Sequence, residues 1–247
     1  MRTETEGIIL KRRKISEKTQ MITLFTKELG KITAGTNLSE GRLRNQPALH
    51  AFTYGRYELN KSRDNFFINK AETIKNYYSL AENPDKYMQA CYVLEFTDKI
   101  LEEECREPGV YAALRDFLTM LESRDRGIGT LILAYQTKAI KYLGHEPVLD
   151  RCASCGSREN LYKFSVEAGG TICRECFENA EESMSPALIY NLKFDIVKIL
   201  KYFADNPLAK LENVALTEEA GRQMQSLVRS YAEYYLDASD IKSEGLI

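Results

Sequence analysis

Four of the six cysteines lie in two Cys-x-x-Cys pairs, and these residues carry the clearest chemistry in the chain. The first pair is Cys152 and Cys155, the second is Cys173 and Cys176, and 17 residues separate the two pairs. Each pair brings two thiolates within reach of one ion, and the intervening length allows a hairpin that folds the second pair onto the first. The spacing predicts a structural zinc ribbon.

Three other chemistries use cysteines at similar spacing, and each conflicts with a feature of the chain. Disulfides need an oxidising compartment, whereas the sequence MRTETEGIIL at the amino terminus has no apolar core of a signal peptide. A redox pair opens a helix after a strand in a βαβ unit, and neither pair is placed in that way. A catalytic zinc keeps one position open for water, but four thiolates fill a tetrahedron. We therefore expect Zn²⁺ in a structural role.

The rest of the chain offers no set of residues typical of catalysis. The only two histidines, His50 and His145, lie in unrelated contexts, and no glycine-rich phosphate-binding motif follows a predicted strand. The acidic run from Glu102 to Glu104 cannot converge on one ion if it is helical, because successive helical residues point about 100° apart. We expect this run to be a solvated helix end. By elimination, the sequence predicts a binding protein and not an enzyme.

Charge is divided unevenly along the chain, although the formal net charge is only −2. Residues 1–80 contain 15 lysines and arginines against 8 aspartates and glutamates, whereas the remainder contains 19 against 28. A basic segment joined to an acidic one indicates that a polyanion contacts the first segment. A solvated basic face without a ligand is the alternative. No run of about 18 apolar residues is present, and without a signal or an anchor we expect the protein in the cytoplasm.

The basic segment contains the alternation of apolar and polar residues that is typical of strands. Five short strands are predicted, at residues 7–10, 20–26, 31–34, 52–59 and 65–70. The apolar parity changes at Gly55, so we expect a bulge there to put the apolar residues before and after it on one face. Five strands with an irregular stretch after the third predict a small, partly open Greek-key barrel of the OB-fold type.

From Pro84 onward the apolar period becomes that of helices. Apolar stripes at helical spacing run from Ala90 to Leu101, from Val110 to Leu121 and from Ile128 to Leu143. Ser185-Pro186 predicts the start of another helix, and the last helix should begin near Thr217. The predicted fold class is therefore α+β. An OB-fold DNA-binding domain at residues 1–80 precedes a helical domain at residues 81–247, with the zinc ribbon inserted at residues 148–180.

Cations and aromatic rings on the predicted barrel are suited to nucleic acid, because cations contact phosphates and rings stack on exposed bases. The candidate DNA-binding cations are Lys11, Arg12, Arg13, Lys14, Arg42, Arg44 and Arg56, with Lys61 and Arg63 as further candidates. The candidate rings are Phe52, Tyr54, Tyr57, Phe66 and Phe67. A barrel core must bury several of these rings, and the sequence leaves open which of them stack on bases.

Two pairs of stretches resemble the RecO family of bacterial recombination mediators. LGHEPVLDRCASCG (143–156) and FSVEAGGTICRECF (164–177) are similar to the zinc module of that family. EGIILKRRKISE (6–17) and LFTKELGKITA (24–34) are similar to its amino-terminal strands. The order of barrel, helices, ribbon and further helices is similar over the whole chain.

The resemblance implies a protein that binds single-stranded and double-stranded DNA and anneals complementary strands. In the family, such a protein acts with RecR in the RecF pathway of DNA repair and recombination, at the bacterial nucleoid. It helps RecA replace the single-stranded-DNA-binding protein, whose acidic carboxyl-terminal tail docks on the helical domain. The resemblance makes the four cysteines zinc ligands, and it matches Lys11, Arg12 and Arg13 to the basic end of the first strand.

One departure from the family concerns the stretch after the third strand, where the family usually has a Lys-Gly-Ala-Arg-like sequence. This chain has Ala34-Gly35-Thr36-Asn37, and Arg42 and Arg44 match the region only loosely, so we expect weaker DNA binding or binding through different positions.

Two other classes of protein remain as alternatives. A zinc-ribbon nucleic-acid-binding or transcription-associated factor without a role in recombination would carry its basic residues on the ribbon. Residues 150–180 hold four cations against five carboxylates, which disfavours that class. A zinc hydrolase would need a histidine or a carboxylate in place of one cysteine, and none is apparent.

Overall fold

The structure of the protein is a computed structural model that describes residues 2–16, 19–36, 46–63, 65–211 and 214–243. The chain forms two compact units, Met1–Ser123 with Asp240–Ile247 and Arg124–Ser239. The first unit combines the amino-terminal strands with two long helices, and the second contains the cysteine module and further helices. The domain division at residue 80, which separates strands from helices, stays a prediction.

Five strands of the first unit close into a barrel. They are β1 (Arg2–Lys14), β2 (Gln20–Thr26), β3 (Gly30–Thr36), β4 (Thr53–Ser62) and β5 (Asn65–Asn76). Their order around the barrel is β1-β2-β3-β5-β4, and all neighbours are antiparallel except β3 and β5. This architecture confirms the predicted five-stranded barrel of the OB-fold type. The basic run at residues 11–14 forms the end of β1, whereas the sequence placed it after the strand.

Alternating residues of the five strands, with Leu49 from the 3-10 turn before β4, form the core of the barrel. Nine buried residues pack together there: Ile9, Ile22, Leu24, Ile32, Ala34, Leu49, Tyr57, Leu59 and Phe66. The hydroxyl of Tyr57 donates to the carbonyl oxygen of Ala48 at 2.8 Å, so the polar end of this fully buried ring has a partner. Burying a large aliphatic or aromatic side chain contributes about 1.5–3 kcal/mol. The period-two apolar pattern therefore stabilises the barrel.

The strand register shifts at Gly55, where the sequence predicts a bulge, but the extra residue is on the neighbouring strand. Ile74 of β5 is left unpaired there, while β4 keeps its strict alternation. Tyr54 consequently lies on the opposite face from Tyr57, and its hydroxyl donates to Glu6. The prediction that the apolar residues around Gly55 share one face is therefore wrong.

Two helices complete the described part of the first unit, α1 (Pro84–Ile100) and α2 (Pro108–Ser123). The side chain of Asn83 accepts hydrogen bonds from the backbone amides of Asp85 and Lys86 and so caps the start of α1. The predicted apolar stripes of both helices are buried. In α2, the ring of Tyr111 packs edge-on against Phe25 of β2, with ring centres 5.3 Å apart, so the helices share a core with the barrel.

In its described residues, the second unit combines a small antiparallel sheet with four α-helices. Its elements are α3 (Ile128–Tyr142), β6 (Leu161–Ser165), β7 (Gly170–Cys173), α4 (Arg174–Ala180), β8 (Ile189–Asn191), α5 (Ile196–Asp205) and α6 (Glu218–Leu236). The sheet has the order β7-β6-β8. Buried Arg124 donates to the carbonyl oxygens of Leu211 at 2.6 Å and Val214 at 2.5 Å, which ties the start of this unit to the segment before α6.

The predicted helix at Ser185-Pro186 is wrong. Residues Pro186–Leu188 form a single 3-10 turn, and β8 then pairs with β6 before α5 begins at Ile196. The apolar residues of this stretch fit a helix, but their backbone groups pair with the ribbon, so tertiary contacts override the local pattern. Among the residues that the structure describes, no helix is both long and apolar enough to cross a membrane.

Candidate metal centre and nucleic-acid interface

The four cysteine sulfurs converge at one point in the second unit. All four Sγ atoms lie within 4.8 Å of one another, and those of Cys155 and Cys173, which belong to different pairs, are 3.8 Å apart. A tetrahedral zinc site with Zn–S bonds of about 2.3 Å has sulfur–sulfur edges of about 3.8 Å. The donor set and its dimensions therefore fit one tetrahedral metal ion.

Each cysteine pair lies on a tight local structure that turns both sulfurs inward. In the first pair, the amide of Gly156 donates to the carbonyl oxygen of Cys152 at 2.9 Å, and Gly156 has a φ of +78°, which favours glycine. In the second pair, Cys173 ends β7 and Cys176 lies in the first turn of α4. The amide that follows Cys152 donates to the carbonyl oxygen of Thr171 at 2.7 Å, so the two turns are held together.

The acidities of the thiols diverge because four sulfurs at this spacing cannot all ionise without a cation. Although burial acts in the opposite direction, hydrogen bonds from the backbone amides of Cys155, Cys173 and Ser154 lower the pKa of Cys152 to about 6. Hydrogen bonds with the thiols of Cys155 and Cys173 raise the pKa of Cys176 to about 12. A divalent metal ion would offset the mutual repulsion of four thiolates.

Contacts outside the cysteines hold the module in place. The ring of Phe164 in β6 packs against Tyr231 of α6 with ring centres 5.9 Å apart, and the hydroxyl of Tyr235 donates to the carbonyl oxygen of Val166 at 3.0 Å. A side chain at Gly170 would place its Cβ 2.1 Å from the carbonyl oxygen of Val148. These contacts pack the cysteine module against α6 and against the segment around Val148.

The four cations of the basic run project alternately from the two faces of β1. Arg12 pairs with Ile22, which is a core residue, so Arg12 lies on the inner face at the end of the barrel. Lys14 shares that parity, whereas Lys11 and Arg13 lie on the outer face. All four side chains are exposed. The sequence treats the run as one cluster, but the structure divides it into two pairs.

Strand pairing places five residues in one line across the outer face of the barrel, which we call the outer row. Its members are Arg13, Met21, Gly35, Phe67 and Asn60, each directly opposite the next. Directly opposite residues project from the same face, and neighbouring strands are about 4.8 Å apart. Three strand spacings separate Arg13 from Phe67, so the backbone positions of this cation and this aromatic ring are about 14 Å apart along the sheet.

Phe67 is the exposed member of the five candidate rings. It is 41% exposed, whereas Phe52, Tyr57 and Phe66 are buried and Tyr54 is half-buried. A Cβ on Gly35 would lie 3.3 Å from two ring atoms of Phe67, so the ring rests against the backbone of β3. The structure thus leaves one ring of the five in a position to stack on a base.

A groove of about 550 Å³ lies beside this ring. Its lining includes the side-chain amides of Gln46, Asn60 and Asn69, together with Phe67. Amide groups donate and accept hydrogen bonds, and they commonly contact sugar and phosphate oxygens of nucleic acids. The sequence did not predict these amides or the outer row. Which residues lie side by side on the barrel depends on strand register, and the apolar pattern within one strand does not specify that register.

The remaining candidate cations are placed differently. Arg56 lies on the outside of β4 in a patch of mixed charge, 3.4 Å from a carboxylate oxygen of Glu4 and 4.0 Å from one of Glu6. These carboxylates offset its charge, and its DNA-binding role stays a prediction. Lys61 pairs with Glu104, with 2.5 Å between its Nζ and a carboxylate oxygen, and Arg63 is exposed in the turn between β4 and β5. Arg42 and Arg44 lie outside the described residues.

Comparison with known proteins matches both parts of the chain to one family. A model described as "Recombination protein O N terminal" matches residues 1–77, and one described as "Recombination protein O C terminal" matches residues 81–245. The chain belongs to the RecO family. The family resemblance of the cysteine module and of the first strands is thereby confirmed.

Curated relatives of this RecO-family chain match it over nearly their whole length. A DNA repair protein RecO from Caldanaerobacter subterraneus is 32% identical over 244 residues, which is 96% of each chain. One from Thermoanaerobacter sp. is 29% identical over 247 residues, with 99% of this chain and 96% of the relative covered. One from Alkaliphilus metalliredigens is 27% identical over 250 residues, with 98% and 97% covered. Each of these relatives is named for DNA repair, and the chain spans nearly the full length of each.

Proposed function

We propose that this RecO-family protein binds DNA on the outer face of its barrel and promotes annealing of complementary strands. The observation that carries the proposal is the outer row, in which Arg13 and Phe67 project from one face. Arg13 contacts a phosphate, and Phe67 stacks on an exposed base at about 1–3 kcal/mol. The amides of Asn60 and Asn69 contact sugar and phosphate oxygens.

This mode of binding suits annealing because it holds a strand mainly by its backbone. The cations reduce the repulsion between two strands, and most base edges stay free to pair. Such a role needs no nucleotide and no catalytic residue, so we propose that the protein is not an enzyme. Duplex DNA binds through the phosphate contacts alone, because its bases are already stacked.

In the cell, the proposed role follows that of the family. The protein acts with RecR and helps RecA replace the single-stranded-DNA-binding protein, which contacts the helical domain through its carboxyl-terminal tail. Family membership supports these partners. The role requires access to chromosomal DNA, so we propose that the protein works in the bacterial cytoplasm at the nucleoid.

The proposed metal is zinc in a structural role. Four thiolates at tetrahedral spacing suit Zn²⁺ and leave no open position for water. Cys152, Cys155, Cys173 and Cys176 would hold the ion, which would cross-link the two turns of the ribbon. The metal thus stabilises the second unit and does not contact bases.

A strand-annealing assay without ATP tests the proposal. Two complementary labelled oligonucleotides are mixed with the protein, and duplex formation is followed by energy transfer. We expect acceleration by the native protein and none by a variant with both Arg12→Glu and Arg13→Glu, whose fold is checked by circular dichroism. Full annealing by a folded double variant would remove the barrel from the mechanism.

A further inference from the structure

An acidic segment lies against the same barrel face as the outer row. It comprises residues 98–104, from the last turn of α1 into the loop that follows, and we call it the acidic segment. The backbone amide of Glu104 donates to the carbonyl oxygen of Lys31 in β3 at 2.7 Å, and Glu103 forms a parallel bridge with Lys31. Residues 102–104 are exposed as expected, but the expectation that they form a helix end is wrong, because α1 ends at Ile100 and the segment pairs with the barrel.

Carboxylates of the acidic segment form ion pairs with cations of the barrel. Asp98 lies 3.5 Å from Lys11 Nζ and 3.7 Å from Lys31 Nζ, and Glu103 lies 3.8 Å from Lys31 Nζ. Lys31 also donates to the backbone carbonyl of Asp98 at 2.7 Å, and its side chain is only 11% exposed. The segment therefore withdraws Lys31 from the surface, while Lys11, at 60% exposed, is shared between the segment and solvent.

The same groups line one groove of about 380 Å³. Lys11 and Arg13 supply cations to this groove, and Asp98 and Glu103 supply carboxylates. Burial raises the pKa of Glu103. The charges of Asp98 and Glu104 raise this pKa further, whereas the charge of Lys31 lowers it. A phosphate that approaches the groove is attracted by the cations and repelled by the carboxylates.

The acidic segment is held closely against the barrel by its backbone. Gly30 at the start of β3 has a φ of +72°, and a Cβ on it would lie 2.0 Å from the carbonyl oxygen of Cys105, just beyond the segment. This close approach needs a glycine. The carboxylates of the acidic segment therefore have a fixed position on the barrel surface. They affect the strength with which the barrel binds DNA.

We propose that Asp98 and Glu103 compete with DNA phosphates for the cations of the barrel face and so weaken DNA binding. The inference rests on the proposed function, because it concerns the same face. A bound DNA strand then meets Arg13, which forms no ion pair with a described residue, and it meets Lys11 only after the pair of Lys11 with Asp98 breaks. Weak binding lets the protein release an annealed duplex, which a mediator must do in order to act again.

Isosteric neutral substitutions test the proposal, with Glu102→Gln as the matched control. Glu102 belongs to the same acidic run and is exposed, but it forms no ion pair with a described residue. We expect Asp98→Asn to tighten binding of a labelled single-stranded oligonucleotide about fivefold, the effect of one surface charge contact. The slope of log K against log salt should become steeper by about 0.7 for each cation set free. Glu103→Gln should act in the same direction, and Glu102→Gln should have a smaller effect.

A second substitution tests the route through Lys11. In a Lys11→Ala background, Asp98→Asn should lose most of its gain, because the cation that it frees is absent. Gains by Asp98→Asn or Glu103→Gln no larger than that of Glu102→Gln, in a protein that binds DNA, would overturn this inference and leave the proposed function standing. Absence of binding by the native protein and by all three variants at low salt would overturn both. Binding that appears only in Asp98→Asn or Glu103→Gln would support the competition.

Discussion

Arg12 and Arg13 offer a sharp test of the outer row. They are adjacent in β1, both are exposed and both carry one positive charge, but they project from opposite faces of the sheet. Arg13 is opposite Met21 in the outer row, whereas Arg12 is opposite Ile22 of the core. The single variants Arg13→Glu and Arg12→Glu change the net charge equally, so a difference between them reports the face and not the charge.

The expected difference in DNA affinity follows from how far each of the two side chains lies from a DNA strand that is bound on the outer face. A charge contact at 4 Å in water is worth about 1 kcal/mol. Arg13→Glu removes one attraction and adds one repulsion, which together weaken binding by about 2 kcal/mol, or about 30-fold. Arg12 points to the other side of the sheet, where screening over about 10 Å reduces its influence. We expect less than about a threefold loss for Arg12→Glu.

Fluorescence anisotropy of a labelled oligonucleotide, titrated at several salt concentrations, measures both variants. For Arg13→Glu the slope of log K against log salt should become shallower by about 0.7 or more, as expected when a phosphate contact is lost from a single strand. Thermal melts should show that both variants remain folded. Equal losses for the two variants, or a larger loss for Arg12→Glu, would refute the assignment of DNA to the outer face.

Three further predictions concern the ring, the metal centre and the carboxyl-terminal segment. Phe67→Ala should weaken single-strand binding by about 1–3 kcal/mol in anisotropy titrations, with little effect on duplex binding, because stacking needs an unpaired base. Cys152→Ser should lower the metal content and the melting temperature more than it lowers the DNA affinity of the folded protein, since the metal couples to folding. The carboxylate of Glu95 accepts hydrogen bonds from the backbone amides of Lys242 and Ser243, both at 3.0 Å, and from the hydroxyl of Ser243. Although burial acts in the opposite direction, these bonds lower the pKa of Glu95 below its ordinary value. The stability that Glu95 contributes is therefore present above pH about 4.3 and is lost as the pH falls through the lowered pKa. The hydrogen-exchange protection of residues 240–243, relative to the intrinsic exchange rate at each pH, should fall over that range in the native protein and should be low at all pH values in Glu95→Gln.

Matched controls separate each of these effects from general damage. Ile74→Ala removes another exposed apolar side chain of β5 that is outside the outer row, and it should leave single-strand binding unchanged. Cys91→Ser removes a cysteine outside the metal centre and should keep the metal content. Ser243→Ala removes only the hydroxyl donor to Glu95 and should quicken exchange less than Glu95→Gln. If a variant behaved in the same way as its control, the role assigned to that residue, whether stacking, metal binding or acceptance of hydrogen bonds, would be contradicted.

Several features could be predicted because they depend on residues that are close in sequence. The helices α1 and α2 bury the apolar stripes that their period of 3.6 residues indicates. Gly144, with a φ of +85°, follows the end of α3, which is where a glycine after a helical stripe is typical. The prediction failed for Tyr142, which belongs to the predicted stripe of α3 but is 45% exposed. An apolar stripe predicts which face of a helix is buried. How far along the helix the burial extends depends on the elements that pack against that face.

The face that we propose for nucleic acid could be predicted only in part, and the reason is one extra residue in β1. Ile9 pairs with Leu24 and Lys11 pairs with Thr23, so Leu10 is left over as a bulge. Before the bulge the odd-numbered residues face the core, and after it the even-numbered residues do so. Without Leu10 as the extra residue, Lys11 and Arg13 would point toward the core side of the barrel.

By itself, the sequence determined the family, the four cysteines that could hold a metal ion and the cationic character of the barrel segment. These features depend on residue identity and short spacing, because a Cys-x-x-Cys turn or a charged run needs no distant partner. Only the tertiary structure decided that Arg13 shares a face with Phe67, and that Asp98 reaches Lys11. Strand register and helix docking join positions far apart in the chain, so their outcome is settled when the whole barrel packs, and no local pattern encodes it.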